Sequence, residues 1–219
     1  MKKYFEILRK CSLFDNIADG DLTALLGCLG ARVCSFCKGD SIISEGDSSC
    51  DIGIVLSGRV QIIQIDFFGN RSIISQALPT QLFAETFACA DVGEIPVSAI
   101  ADTDCDIMFI PAYRALNSCS SACDFHRQII FNLMKNMAEK NIMFQRKIQI
   151  TSKRTTREKL LEYLNLEAHK KGARSFDIDF DRQELADYLE VDRSGLSAEI
   201  GKLRRENIIK NTKNHFVLL

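Results

Sequence analysis

The sequence predicts an α+β chain in three successive parts: a small β-barrel or sandwich within residues 1–116, a long helix over 117–150 and a winged helix-turn-helix over 151–219. Three observations carry this. Apolar residues recur at every second position in short runs between Arg32 and Ile110. A heptad-spaced run free of Gly and Pro extends from Ser121 to Ile150. Two short helical patterns around a three-residue turn, then two short strand-like runs, close the chain.

The barrel is preceded by short amphipathic helices, because Leu8, Leu13, Phe14, Ile17, Leu22, Leu25, Leu26 and Leu29 recur at helical steps. The period then changes to two, as in Ile52-Gly53-Ile54-Val55-Leu56 and Val60-Gln61-Ile62-Ile63-Gln64-Ile65. Turn signals at Lys38-Gly39-Asp40, Glu45-Gly46-Asp47, Ser57-Gly58 and Phe68-Gly69-Asn70 cut these runs into strands.

In the long helix, Ile130, Met137, Phe144 and Thr151 lie seven apart, and Met134, Asn141 and Ile148 interleave with them. That is an a/d seam, with Asn141 placed to fix register. A helix of this length spans about 45 Å. A second copy of the same helix is the expected partner for its seam (Ile130, Met134, Met137, Asn141, Phe144, Ile148); packing along the barrel is the alternative.

The last part opens with a helix after Thr155-Thr156-Arg157, ended by Lys170-Lys171-Gly172 near His169. Ser175 to Phe180 alternates like a strand. Asp181 followed three residues later by Glu184 is a capping-box variant that opens a helix to Leu189. Glu190-Val191-Asp192 makes the turn, and Asp192 caps a helix from Arg193 to about Glu206. Leu185, Ala186, Leu189, Val191, Leu196, Ile200 and Leu203 form the shared core, and Ile208-Ile209-Lys210 with Phe216-Val217-Leu218 form the wing. With those residues inward, Arg193, Ser194, Ser197, Ala198 and Gly201 face out, where the start of such a helix enters a major groove. Arg193 suits guanine or a phosphate, and Ser194 and Ser197 are small readers. Lys202, Arg204, Arg205, Lys210 and Lys213 suit phosphates, and Arg182 is counted with them among the DNA-binding candidates. A winged helix used only for protein contacts is the rival use.

Charge supports the division. Of 219 residues, 46% are hydrophobic and 26% charged, with 28 Lys plus Arg against 29 Asp plus Glu. That excludes a uniformly basic coat and an acidic disordered tail. The average hides a gradient: residues 1–150 carry a net of −3 and residues 151–219 a net of +2, with basic bunches at Arg146 to Lys159 and Arg193 to His215. No signal peptide or run of eighteen apolar residues is expected, which places the chain in the cytoplasm with its nine Cys reduced.

The order of barrel, long helix and winged helix-turn-helix resembles the Crp/Fnr superfamily of bacterial transcription regulators. Leu13-Phe14 resembles its N-terminal lead. Phe83-Ala84-Glu85, Pro96-Val97-Ser98-Ala99 and Ile107 to Ile110 resemble its phosphate-binding cassette, and Arg182 to Leu189 through Asp192-Arg193-Ser194 its DNA-binding signature. The resemblance implies a double-stranded jelly-roll of the cyclic-nucleotide-binding type. It also implies a homodimer on a palindromic operator, contact with RNA polymerase if it activates, and no enzymatic role. No Ser-His-Asp set, HExxH or P-loop pattern is present. An effector pocket would be lined by Phe83, Ala84, Glu85, Val97, Ser98, Phe144 and Gln145.

Departures from the family pattern narrow the signal. Glu190 stands where a turn Gly is frequent, and Glu199 where an apolar residue is. Ala84 replaces the Gly before Glu85, the position of the phosphate-binding Arg falls at Ile95, and no cation lies between Arg71 and Arg114. A buried phosphate without a cation is costly, and Phe144 and Gln145 stand where hydroxyls meet adenine. Neither cAMP nor cGMP is therefore expected. None of His126, His169 and His215 is expected in the barrel, so a His-ligated haem in that domain is excluded. Cys28, Cys34 and Cys37 form C-x5-C-x2-C, with Cys11 and Cys50 nearby, but not in the order of the oxygen-sensing branch. An iron–sulfur cluster is thus not favoured, no metal ligand is assigned, and most thiols read as small hydrophobes. The expectation is a homodimeric DNA-binding regulator with an unidentified small-molecule or redox signal. A constitutive binder with a degenerate barrel and a thiol or iron–sulfur sensor are the alternatives.

Overall fold

The computed structural model describes residues 2–48, 50–90, 92–117 and 124–219. Two compact units make up the chain, Met1–Asn70 with Ile74–Asn141 and Arg71–Ile73 with Ile142–Leu219.

In the first unit, α1 (Phe5–Leu8) and α2 (Asp19–Cys28) precede β1 (Arg32–Phe36), β2 (Ser41–Ile43), β3 (Ile52–Ser57), β4 (Val60–Ile65), β5 (Arg71–Ala77, the first unit taking it from Ile74) and β6 (Leu82–Phe83). A short α3 (Glu85–Ala90), β7 (Ser98–Ala101), β8 (Cys105–Ile110) and α4 (Ala112–Leu116) follow. The strands form two four-stranded sheets, ordered β1-β8-β3-β6 and β2-β7-β4-β5. In the first, β8 lies antiparallel to both β1 and β3; in the second, β7 pairs antiparallel with β2 and β4.

Strand β3 is buried along five consecutive residues because both its faces are covered. Ile52, Ile54 and Leu56 join Leu8, Leu13, Leu22, Leu25 and Leu26 in a core against the N-terminal helices. Val55 joins Val60, Ile62, Phe83, Ile95, Ile107 and Phe109 in a second core between the sheets. Edge-to-face aromatics fill that second core, with Phe109 6.2 Å from Phe36 and 6.4 Å from Phe83 between ring centroids. Gly53 makes room for the last of these: a Cβ there would lie 2.3 Å from Phe83 Cε1.

Helix α5 (Asp124–Thr151) is the long helix. The first three residues of its expected span, 121–123, lie outside the described residues, as does Cys119. Its inward face in the first unit is His126, Ile129, Asn132 and Leu133. Asn132 Nδ2 donates to Leu13 O and Asp15 O, both at 2.9 Å, which pins the helix to the N-terminal lead.

The second unit holds the end of α5 with α6 (Thr156–Lys171), β9 (Ser175–Asp177), α7 (Arg182–Leu189), α8 (Arg193–Arg205), β10 (Ile209–Thr212) and β11 (His215–Leu218). Thr155 with Glu158 and Asp181 with Glu184 each form a complete capping box. Gly172, at φ 62°, ends α6 in the left-handed conformation. β9 is shorter than the alternating run 175–180, yet Phe176, Ile178 and Phe180 are all buried, so the alternation reports one inward face. The strands form one sheet in the order β10-β11-β9. No helix among the described residues is long and apolar enough to cross a membrane.

Glu190 does adopt the left-handed conformation, at φ 54° and ψ 56°, which costs about 1–2 kcal/mol for a residue with a Cβ. Two lysines hold the surrounding carbonyls. Lys159 Nζ donates to Leu189 O at 3.2 Å and Glu190 O at 3.3 Å. Lys147, on α5, donates to Tyr188 O, lies 3.9 Å from the Tyr188 ring centroid, and approaches Glu190 Oε1 at 3.8 Å. Burial pushes the Lys147 ammonium down to about 8; Glu190 opposes that shift and Lys159 adds to it.

This packing can be tested at two points. Gly53→Ala forces the Phe83 ring aside and destabilises the first unit by about 1–3 kcal/mol in denaturant titrations; an unchanged midpoint contradicts that tight fit. Between pH 8 and 10.5 the folded chain releases the Lys147 proton while the unfolded chain keeps it, so stability rises with pH by up to about 3 kcal/mol. The stability difference between the wild type and Lys147→Met must change by that amount across the window, and a pH-independent difference contradicts it.

Candidate nucleic-acid interface and barrel site

Helix α8 presents two faces. Leu196, Ile200 and Leu203 are buried against α7 and α6, while Arg193, Ser194, Ser197, Ala198, Lys202, Arg204 and Arg205 are exposed and Gly201 is half-exposed. Asp192 caps the helix by accepting from Gly195 N at 2.7 Å, and it also accepts the Ser194 hydroxyl proton. Ser194 therefore offers the solvent side an acceptor rather than a free donor, a restriction invisible in the sequence.

The first residue of α7 joins this surface. Arg182 Nη2 donates to Lys213 O in the wing turn at 3.4 Å, and its guanidinium lies 5.8 Å from the Phe216 ring centroid. Burial lowers the Arg182 pKa, and the like charges of Arg204 and Arg193 lower it further. Among the described residues, its buried Nη1 has no hydrogen-bond partner. An unused arginine donor under the like charges of two further arginines suits an anion.

The other basic bunch has a different use. Arg157 pairs with Glu199 at 3.4 Å and with Glu206. Lys153 pairs with Glu162 at 3.5 Å, and Lys147 and Lys159 are the carbonyl partners described above. Four of the cations between Arg146 and Lys159 thus have partners within the chain. Glu199 receives Lys202 as well, at 3.2 Å, so its departure from an apolar residue places a carboxylate between two cations.

In the barrel, Phe83 is 1% exposed and Ala84 takes a left-handed φ of 62°. Val97 packs at the edge of the inter-sheet core, and Ser98 Oγ accepts from Glu45 N at 3.0 Å. Ile95, at the position of the family's arginine, is 1% exposed in that core. Glu85 is 1% exposed and meets Lys140 of α5, whose Nζ lies 2.8 Å from Glu85 Oε2. Sequence reasoning missed Lys140, because the segment from Arg71 to Arg114 lacks cations and this one comes from 55 residues further along. Phe144 and Gln145 are exposed and belong to the other compact unit.

Outward, α5 exposes Met134 (63%) and Ile148 (63%) with Asn141, and Phe144 is 38% exposed. Ile130 and Met137 are only half-exposed, and Met137 packs on the first core beside Leu133. Exposure therefore differs between the two columns of the expected seam. Phe131 (60%), Ala138 and Gln145 are the exposed positions that interleave with Met134, Asn141 and Ile148.

The expected thiol group is dispersed. Cys28 ends α2 with Sγ 3.9 Å from His126 Nε2, Cys34 lies within β1, and Cys37 follows it. Among the described residues no three metal-ligating side chains converge. His126, although outside the strands, is buried within the barrel's unit.

Residues 33–121 match the family model of the cyclic nucleotide-binding domain, and residues 158–219 that of the Crp-like helix-turn-helix domain. No curated protein matches the chain. Among solved structures it is similar to the c-di-GMP responsive global regulator CLP of Xanthomonas campestris, at 16% identity and TM-score 0.75, over 92% of this chain and 99% of that one. FixK2 of Bradyrhizobium japonicum is 18% identical with TM-score 0.64, over 86% and 92% of the two chains. TTHA1359 of Thermus thermophilus, a regulator of the CRP/FNR family, is 21% identical with TM-score 0.60, over 86% and 93%. With a cyclic-nucleotide-binding domain, a long helix and a Crp-like reader in that order, the chain belongs to the Crp/Fnr family of DNA-binding transcription regulators and is not an enzyme.

Proposed function

We propose that the protein works in the cytoplasm as a homodimer on palindromic double-stranded DNA, with α8 of each protomer in a major groove. Arg182, at the start of α7, carries this reading: its buried Nη1 lacks a partner among the described residues, and the like charges of Arg193 and Arg204 of α8 act on it. Arg193 is the base-reading residue. Arg182 offers its unused Nη1 to a phosphate, joined by Lys202, Arg204, Arg205 and Lys213. Ser194 and Ser197 admit a base edge without demanding one. RNA polymerase is a partner if the regulator activates.

The two protomers meet along Phe131, Met134, Ala138, Asn141, Gln145 and Ile148. Steps of three and four residues keep that stripe on one side of a helix. Asn141 at its centre favours one register. Half-sites about 34 Å apart, one turn of DNA, then follow from the two-fold symmetry.

For the barrel, the residues support a signal other than cAMP or cGMP. Ile95 occupies the position of the anion-binding arginine, and Glu85 already has an internal cation. A regulator that needs no small molecule is the second reading, favoured by the internal cation that already meets Glu85; a thiol or iron–sulfur signal is the third.

Arg193→Ala is expected to weaken operator binding by about 1–3 kcal/mol and relax preference at one base pair; unchanged gel-shift affinity sinks this placement of the reading helix. Met134→Glu sets a charge in the middle of the apolar stripe and its copy, and is expected to weaken dimerisation by about 2 kcal/mol or more. Sedimentation equilibrium reads this, and an undisturbed dimer sinks the stripe as the interface.

A further inference from the structure

Glu85 and Lys140 make the contact that ties the long helix to the barrel's own short helix. Lys140 Nζ donates to Glu85 Oε2 at 2.8 Å and to Leu82 O at 2.7 Å, so it bridges the end of β6 and the start of α3. The Thr86 hydroxyl reaches Glu85 Oε1 at 3.3 Å. Among the described residues, the Cys50 and Cys89 thiols also lie in the field of this carboxylate, and burial holds both up in the protonated range. A carboxylate buried this far is stable only with such a partner. The partner belongs to the same chain, so it is present at every effector concentration. Any small molecule that took Glu85 would have to displace the ammonium and leave it without its carboxylate.

We propose that Lys140 is a built-in counter-ion that holds α5 in its DNA-competent position, so that the regulator binds its operator without an effector. A ligand shifts a conformational equilibrium only through a difference in affinity between its states, and here an internal bond supplies that difference permanently. Lys140 acts as a positioning residue: it touches no DNA and works through the helix that carries the dimer stripe. The proposal rests on the reading of α5 as the dimer helix of a DNA-binding regulator.

The test uses the full-length protein, unfolded in guanidinium, dialysed free of small molecules and refolded. Fluorescence anisotropy then measures its affinity for DNA selected from a random pool. The stripped wild type is expected to bind within about twofold of the untreated protein, with or without added cAMP. Glu85→Gln with Lys140→Met leaves no lone buried charge, and is expected to melt like the wild type yet bind at least about tenfold more weakly. Lys140→Arg keeps the cation and is expected to recover most of that loss, which a merely space-filling role would not require. A double variant that binds like the wild type overturns the proposal. So does a stripped protein that loses about tenfold in affinity and regains it from a cell extract. Failure of the underlying reading is visible separately, as untreated protein that enriches no DNA, and that outcome overturns the proposal as well.

Discussion

Helix α5 must satisfy two demands on one surface, and the division of its faces decides what the rest of the molecule can do. Its inward face is fixed by Ile129 and Leu133 in the N-terminal core and by Asn132, whose amide holds two backbone carbonyls of the N-terminal lead. Once those three residues are set, a step of about 100° per residue determines every other side chain on the helix. Lys140 is delivered to Glu85, and Met137 is drawn toward the core. Phe131, Met134, Ala138, Asn141, Gln145 and Ile148 are left facing outward. An apolar, heptad-spaced surface of that kind is unusual on a chain that stays alone.

In the second unit, polar contacts with backbone carbonyls do comparable work. Lys147 and Lys159 hold the carbonyls where α7 ends, and Glu190 takes the left-handed turn there without the freedom of a glycine. Asp181 and Asp192 close the starts of the two reader helices. Lys147, Lys153, Arg157 and Lys159 are thereby committed to architecture, whereas Arg182 keeps a donor without a partner among the described residues. Net charge describes this poorly, since residues of the same sign in the same stretch of chain serve opposite ends.

What could be read from the sequence was what local spacing dictates. The capping box at Asp181, the Gly172 stop, the turn at Glu190 and the inward Leu196, Ile200 and Leu203 are all set within a few residues, and they were legible; the box at Thr155, equally local, was overlooked. The double burial of β3 was not, because alternation shows two faces without saying that both are covered. Helix α3 was missed for a related reason: six residues opened by a left-handed alanine leave little periodicity to detect. That Met137 of the expected seam also packs on the first core was not legible, since a heptad count cannot tell a residue facing a partner from one facing its own core. Lys140 was missed altogether, because an ion pair across 55 positions leaves no mark on either segment.

The account's central claim is that this surface reads DNA as a symmetric pair with no added signal. Selection of sites from a random DNA pool by the purified protein alone tests it most directly. The account predicts enrichment of a palindrome whose half-site centres lie about 10–10.5 base pairs apart. No enrichment, or an enriched sequence without two-fold symmetry, would contradict it.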